Sequence, residues 1–220
     1  MNLLKRRKLR KFDRINIDWN QIPYNRISVL NFLIKNSKID TYLEIGCDKN
    51  LTFDSIFLKN KIGVDPVRGG THRMTSDNFF DENNTIFDLI FIDGLHHYEQ
   101  VKRDVINSLN KSKSNSWIVL HDVFPRNAVE EHTPCITSGP WTGDVWKIAF
   151  DLMKINGIEF KIVLIDFGVL VIRKLQEKVD FNIAQNNQVD RNFDYFYSNR
   201  HILPLLEWED FTRWATRVES

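Results

Sequence analysis

"FDLIFIDGLHHYEQVKRDV", Phe87 to Val105, carries the transition from which the fold can be read. Phe87, Leu89, Ile90, Phe91 and Ile92 are interrupted only by Asp88, and a short apolar run bounded by Asp93–Gly94 is the pattern of a strand buried on both faces. Beyond the loop, Tyr98, Val101, Val105 and Leu109 recur at steps of three and four, the stripe of a helix packed on one side. A buried strand, a polar loop and an amphipathic helix in direct succession form half of a βαβ unit. The loop "DGLHHYE" places an aspartate, two histidines, a tyrosine and a glutamate where a plain turn would need none of them.

The same alternation extends on both sides. "TYLEIGC" reads as a strand ending at Gly46, with a short helix through Ile56, Phe57 and Leu58. "KIGVD" is a strand ending at Asp65, and "SWIVLHD" one ending at Asp122. Upstream, Ile27, Leu30, Leu33 and Ile34 mark a helical lead-in between about Trp19 and Asn36. Downstream, Gly143 and Asp144 open a helix with Val145, Ile148, Ala149 and Leu152 on one face. Strands that alternate with helices predict a parallel sheet covered on both sides. "EFKIVLI" and "GVLVIRK" are separated only by Asp166 and Phe167, with Gly168 beside them, too little chain for a parallel crossover, so that pair is antiparallel. The expected fold is α/β: a Rossmann-like, doubly wound, mostly parallel seven-stranded sheet with an antiparallel final strand. Residues 1–40 read as a basic arm and helical lead-in, 41–175 as the core, and 176–220 as a helical appendage of the same domain, built on Phe196, Leu205, Leu206, Trp208, Phe211 and Trp214.

Composition narrows the function classes. The 220 residues, 42% hydrophobic and 27% charged, are those of one globular unit. The longest apolar stretch, Ile162–Ile172, is broken by Asp166 and Gly168 and falls short of the roughly 20 residues of a membrane span. The net charge of +1 conceals a basic cluster from Lys5 to Lys11 that holds six of the 30 Lys and Arg residues; the rest carries 24 basic against 29 acidic groups. Such a body offers no basic stripe for nucleic acid. Cys47 and Cys135 are distant and form no metal spacing, which suits a cytoplasmic setting. A homo-oligomer is left open.

The polar residues gather where an open α/β sheet binds ligands, beyond the carboxyl ends of its strands. Glu44 and Gly46 close one strand, Asp65 the next, and Ser76 and Asp77 lie in "RMTSDNFF". Asp93 with His96 and His97 closes another, and His121 with Asp122 the one after it. Gly46 permits close backbone approach before a helix N-terminus, but "GCDKN" lacks the later glycines of a dinucleotide loop. Asp65, about 20 residues on, is spaced to meet a ribose diol.

Together "YLEIGC", "GVDP", "MTSDNFF", "FDLIFIDGLHHYEQVKRDV" and "IVLHDVFP" resemble the small bacterial class I S-adenosylmethionine-dependent methyltransferases, in the branch related to macrocin O-methyltransferase and the cephalosporin-hydroxylase-like proteins. The resemblance spans Thr41 to about Leu152. It implies Glu44 and Gly46 against the methionine end of S-adenosylmethionine, Asp65 on the ribose, Ser76 and Asp77 near the adenine, and Asp93 near the sulfonium. It also implies a divalent metal, Mg or Mn, at Asp93, His121 and Asp122.

Transfer to the hydroxyl of a small-molecule acceptor such as a saccharide or glycoconjugate needs a base or a Lewis acid. His96 is the candidate base, with His121 and Asp122 as further catalytic candidates; His97, one residue along, does not share its direction. The loop "TPCITSGPWTGDVW" makes Trp141 a candidate acceptor platform and Trp146 a core residue. Two other readings remain: a metal-dependent hydrolase built on Asp93, His96, His121 and Asp122, and a non-catalytic cofactor-binding relative.

Overall fold

The computed structural model describes residues 14–181 and 191–217; the basic cluster at Lys5–Lys11 lies outside them. Seven strands, β1 (Thr41–Ile45), β2 (Asn60–Val64), β3 (Phe87–Ile92), β4 (Ser112–Leu120), β5 (Ile158–Val163), β6 (Val169–Lys174) and β7 (Leu205–Leu206), form one sheet in the order β2-β1-β3-β4-β6-β5-β7. β1 pairs in parallel with β2 and β3, and β3 with β4, whereas β6 is antiparallel to both β4 and β5. The β5–β6 reversal is a two-residue turn: Asp166 and Phe167 have φ of 45° and 60°, and the Gly168 amide donates to the Ile165 carbonyl at 2.7 Å. Positive φ at both central positions is the primed geometry that suits the twist of a hairpin. One difference from the sequence reading lies in the tail. The segment read as wholly helical also supplies β7, which pairs in parallel with β5.

The helices are α1 (Arg26–Asn36), α2 (Leu51–Asp54), α3 (Ser76–Glu82), α4 (Tyr98–Asn110), α5 (Ala128–Glu131), α6 (Lys147–Leu152), α7 (Phe193–Asn199) and α8 (Trp208–Thr216). α2 ends before the predicted apolar face, and Phe57 is 90% exposed.

The sheet separates two cores. Leu43, Ile45, Ile90 and Ile92 pack with Phe79, Val101, Val105, Ile148 and Phe196. Tyr42, Leu89, Phe91 and Val119 pack on the other face with Val29, Leu30, Leu33, Phe211 and Trp214. Burying each such side chain stabilises the fold by roughly 1.5–3 kcal/mol. β3 is buried along its whole length. Its one charged residue, Asp88, accepts the Asp40 and Thr41 amides, both at 3.0 Å, and the Lys113 ammonium at 2.7 Å. The tail helix α8 rests on α1, where Phe32 meets Trp208 and Phe211, and Tyr24 stacks on Trp208 at 4.1 Å. Among the described residues no helix is long and apolar enough to cross a membrane.

Candidate active site

Chain order reverses between β2-β1 and β3, and at this switch point a cavity of about 510 Å³ opens beyond the strand ends. It is lined by Gly46, Asp65, Ser76, Asp77 and Asp93, five of the six residues expected at a cofactor, together with Val67, Leu95, Gln100 and Asp104. Glu44 is the exception. Along β1 it alternates with Leu43 and Ile45, so it faces the core of Tyr42 rather than the cavity. There it is 1% exposed and accepts the Tyr42 hydroxyl at 2.6 Å. Burial, aided by the charge of Asp93 and opposed by the Tyr42 hydrogen bond, pushes its carboxyl up to about 7.

Gly46, besides lining the cavity, lies close to the protein's own main chain. Its φ is +87°, and a Cβ there would lie 2.2 Å from the Asp93 carbonyl oxygen. The close approach that requires glycine is to the end of β3, which brings the Gly46 turn and Asp93 to one wall.

Asp65 ties the loops together. One carboxylate oxygen accepts the Cys47 and Asp48 amides at 3.1 and 3.0 Å, the other the Val67 and Arg68 amides at 2.8 and 2.9 Å. Burial opposes its charge, but these four donors hold the carboxyl below its ordinary value. A carboxylate has about four lone-pair sites, so the ribose role implied by its spacing competes with a structural one. At the opposite end of the cavity Ser76 donates to Asp104 at 2.6 Å, and the Gln100 side-chain amide lies 3.1 Å from both. Burial raises Asp104 to about 6. Gln100 and Asp104 were not anticipated, although their i, i+4 spacing on α4 was a readable signal.

Beside Asp93 the histidines separate in role. His96 Nε2 lies 3.5 Å from Asp93 Oδ1 and 3.4 Å from Asp122 Oδ2. Its Nδ1 is 3.1 Å from the Trp141 carbonyl, which makes Nδ1 the donor and aims Nε2 at the carboxylates. The Trp141 ring stacks on the imidazole at 5.1 Å. Gly143 seats this loop: its φ is +58°, and a Cβ there would lie 1.9 Å from the His96 carbonyl oxygen. Asp144 completes the junction by accepting the Tyr98 amide at 2.7 Å at the start of α4. Burial lowers the His96 pKa, but the Asp93 hydrogen bond and the Asp122 charge outweigh it, and the value is raised. Trp146 is fully buried, as its spacing predicted.

His121 does not line the cavity but stands behind Asp93 and Asp122. Its Nδ1 is 3.2 Å from Asp93 Oδ1 and 3.3 Å from Asp122 Oδ2, and its Nε2 is 3.3 Å from Asp166 Oδ2. Arg26 Nη1 shares that Asp166 oxygen at 2.9 Å and comes within 3.1 Å of the same ring nitrogen. One carboxylate oxygen accepting from two donors accounts for that close nitrogen–nitrogen approach. Burial disfavours the imidazolium, but three carboxylates raise its pKa well above the usual range. Both nitrogens are thereby engaged, and His121 has no lone pair directed at a ligand. Among the described residues, the side chains that bring one donor atom each within 4.8 Å of one another are Asp93, His96 and Asp122. This cluster shares Asp93 and Asp122 with the set read from sequence and adds His96, while His121 Nδ1 lies 3.2 and 3.3 Å from the same two carboxylates. Two carboxylate oxygens suit Mn²⁺ or Mg²⁺, and the imidazole shifts the preference away from Mg²⁺ toward imidazole-tolerant metals.

Residues 43–123 match a family model described as a methyltransferase domain. No curated protein sequence matches the chain. Three similar solved structures have the same fold. The SAH-bound methyltransferase PaMTH1 of Podospora anserina is 17% identical, with a TM-score of 0.53 over 78% of this chain and 93% of that one. A Staphylococcus aureus protein provisionally assigned as a caffeoyl-CoA O-methyltransferase is 14% identical, with a TM-score of 0.51 over 78% and 90%. Cofactor-bound Rv0187 from MTB is 11% identical, with a TM-score of 0.51 over 79% and 88%.

Proposed function

We propose that this methyltransferase moves the methyl group of S-adenosylmethionine onto a hydroxyl oxygen of a small polar acceptor, a saccharide or glycoconjugate. The observation that carries the reading is the placement of Asp93. It lines the cavity at the switch point and also stands within 3.5 Å of His96 Nε2, so the methyl donor and a proton acceptor meet at one residue. The resemblance to the macrocin O-methyltransferase branch supports a sugar hydroxyl.

In this reading Gly46, Asp65, Ser76, Asp77 and Asp93 receive the nucleoside and its methionine arm. The acceptor oxygen attacks the methyl carbon in line, the carbon–sulfur bond breaks, and its electron pair stays on sulfur as the thioether. The hydroxyl proton passes to His96 Nε2, whose tautomer is set by the Trp141 carbonyl. A base so placed accelerates transfer by roughly 10²–10⁴-fold, and orientation of the two reactants supplies much of the remainder. Trp141 stacks on His96, and its indole would offer an aromatic surface to a sugar ring.

A second arrangement of the same atoms is favoured by the convergence of Asp93, His96 and Asp122 within 4.8 Å. These three would hold a divalent cation, whose chemistry when bound is to lower the pKa of the acceptor hydroxyl and orient it. His96 would then be a ligand rather than the base.

The test is incubation with S-adenosylmethionine and a panel of monosaccharides and glycosides, with Mg²⁺, Mn²⁺ or EDTA, followed by mass spectrometry. Methyl ethers with matching S-adenosylhomocysteine support the proposal, and EDTA sensitivity selects the cation route. No product with any sugar, alongside methylation of an amine or thiol, would overturn the hydroxyl assignment.

A further inference from the structure

Arg26 lies outside the residues matched by the family model, at the first turn of α1, yet its guanidinium reaches the site from behind. Its Nε is 3.6 Å from Asp93 Oδ2, and its Nη1 is 2.9 Å from Asp166 Oδ2. Its backbone amide donates to that same Asp166 oxygen at 3.1 Å. Main chain and side chain are therefore both anchored on one carboxylate at the β5–β6 turn, and the stack of Tyr24 on Trp208 fixes the start of α1 from the far side. Asp93, Asp122 and Asp166 converge on His121, and of these charged groups only Asp93 also lines the cavity. The positive charge of Arg26 thus reaches a ligand chiefly by offsetting the charge of Asp93.

We propose that Arg26, clamped by Asp166, sets how strongly the cavity prefers a positively charged sulfonium to the neutral thioether left after methyl transfer. The inference rests on the reading that this cavity takes S-adenosylmethionine. Substrate and product differ there by one methyl group and one positive charge. An unopposed Asp93 would hold the sulfonium most firmly in the ground state, although that charge is lost on the way to product. Such binding opposes transfer, because only interactions retained or strengthened in the transition state accelerate it. Arg26 relieves the excess while leaving Asp93 in place to orient the ligand.

The test is calorimetric titration of S-adenosylmethionine and S-adenosylhomocysteine into wild type, Arg26→Ala, Arg26→Lys and Arg26→Gln, in EDTA at fixed ionic strength. In Arg26→Ala the ratio of the two dissociation constants should shift toward the sulfonium on the order of tenfold, the Coulomb effect of a unit charge at about 10 Å and an effective dielectric of about 20. Arg26→Lys, which keeps the charge, should stay near wild type. Arg26→Gln, which removes the charge but keeps much of the side chain's length, should shift the ratio as Arg26→Ala does. General loosening of the fold would weaken both ligands together and leave the ratio unmoved. Wild type that binds both ligands, with Arg26→Ala within about twofold of its ratio, overturns this inference alone. Wild type that binds neither overturns the cavity reading and the inference with it. Should Arg26→Ala fail to fold, a ratio in Arg26→Gln within about twofold of wild type overturns the inference equally.

Discussion

Asp65→Asn separates a ligand role from a structural one at the residue where the two compete. The wild-type carboxylate accepts four backbone amides, two on each oxygen. Asparagine keeps one acceptor oxygen and turns an NH₂ toward the other pair of donors. A buried donor left without its acceptor costs about 1–3 kcal/mol. Two of them, partly relieved by water near exposed Arg68, put the loss at roughly 2–4 kcal/mol with no ligand present. The pH dependence has a definite sign. The folded carboxyl lies below its ordinary value of 3.8, so its contribution is complete above that value and is lost only as pH falls through the lowered one. Urea unfolding of wild type and variant should therefore differ by a constant amount from neutral pH down to about 4 and converge only in stronger acid. Amide exchange should accelerate at Cys47, Asp48, Val67 and Arg68. If the ligand-free variant matches wild type within about 0.5 kcal/mol and exchange is unchanged, while S-adenosylhomocysteine affinity collapses, Asp65 serves the ligand alone and the structural reasoning fails.

Three further outcomes follow from the geometry. Gly46→Ala places a Cβ 2.2 Å from the Asp93 carbonyl oxygen at φ of +87°, and should cost at least about 2–3 kcal/mol in urea unfolding, whereas a loss under about 0.5 kcal/mol would refute the tight junction. Glu44, raised to about 7 by burial, contributes stability below its unfolded pKa that is lost as pH rises through 7. Glu44→Gln should thus gain on wild type by about 1–3 kcal/mol between pH 4.5 and pH 8, and a pH-independent difference would contradict the assignment. His96→Ala and Asp122→Asn should each weaken Mn²⁺ binding, followed by electron paramagnetic resonance, by roughly tenfold or more if the cation arrangement operates; unaltered Mn²⁺ affinity would remove it.

Much of the sheet could be read from the chain because its signals are local. The fully buried run of β3 and the two-residue reversal at Asp166–Phe167 are each contained in a few consecutive residues. So are the aspartates and histidines at strand ends, since a parallel sheet delivers all its carboxyl ends to one edge. What escaped depends on side-chain direction and distant contacts. Alternation along β1 turns Glu44 away from the cavity that receives Gly46. The contacts that engage His121 Nε2 come from Asp166 and Arg26, which lie 140 residues apart in sequence, and no periodicity links them. Asp166 was visible only as a turn residue and Arg26 only as part of the helical lead-in. β7, two residues long, has too short a pattern to be separated from the aromatic tail around it.

The most direct test of the central claim is titration of the full chain with S-adenosylhomocysteine while backbone amide chemical shifts are recorded. The cavity at the β1–β3 switch predicts saturable shifts concentrated at Gly46, at Asp65 to Arg68, at Ser76 and Asp77, and at Asp93 to Leu95. Absence of saturable shifts, or shifts confined to residues remote from these strand ends, would contradict it.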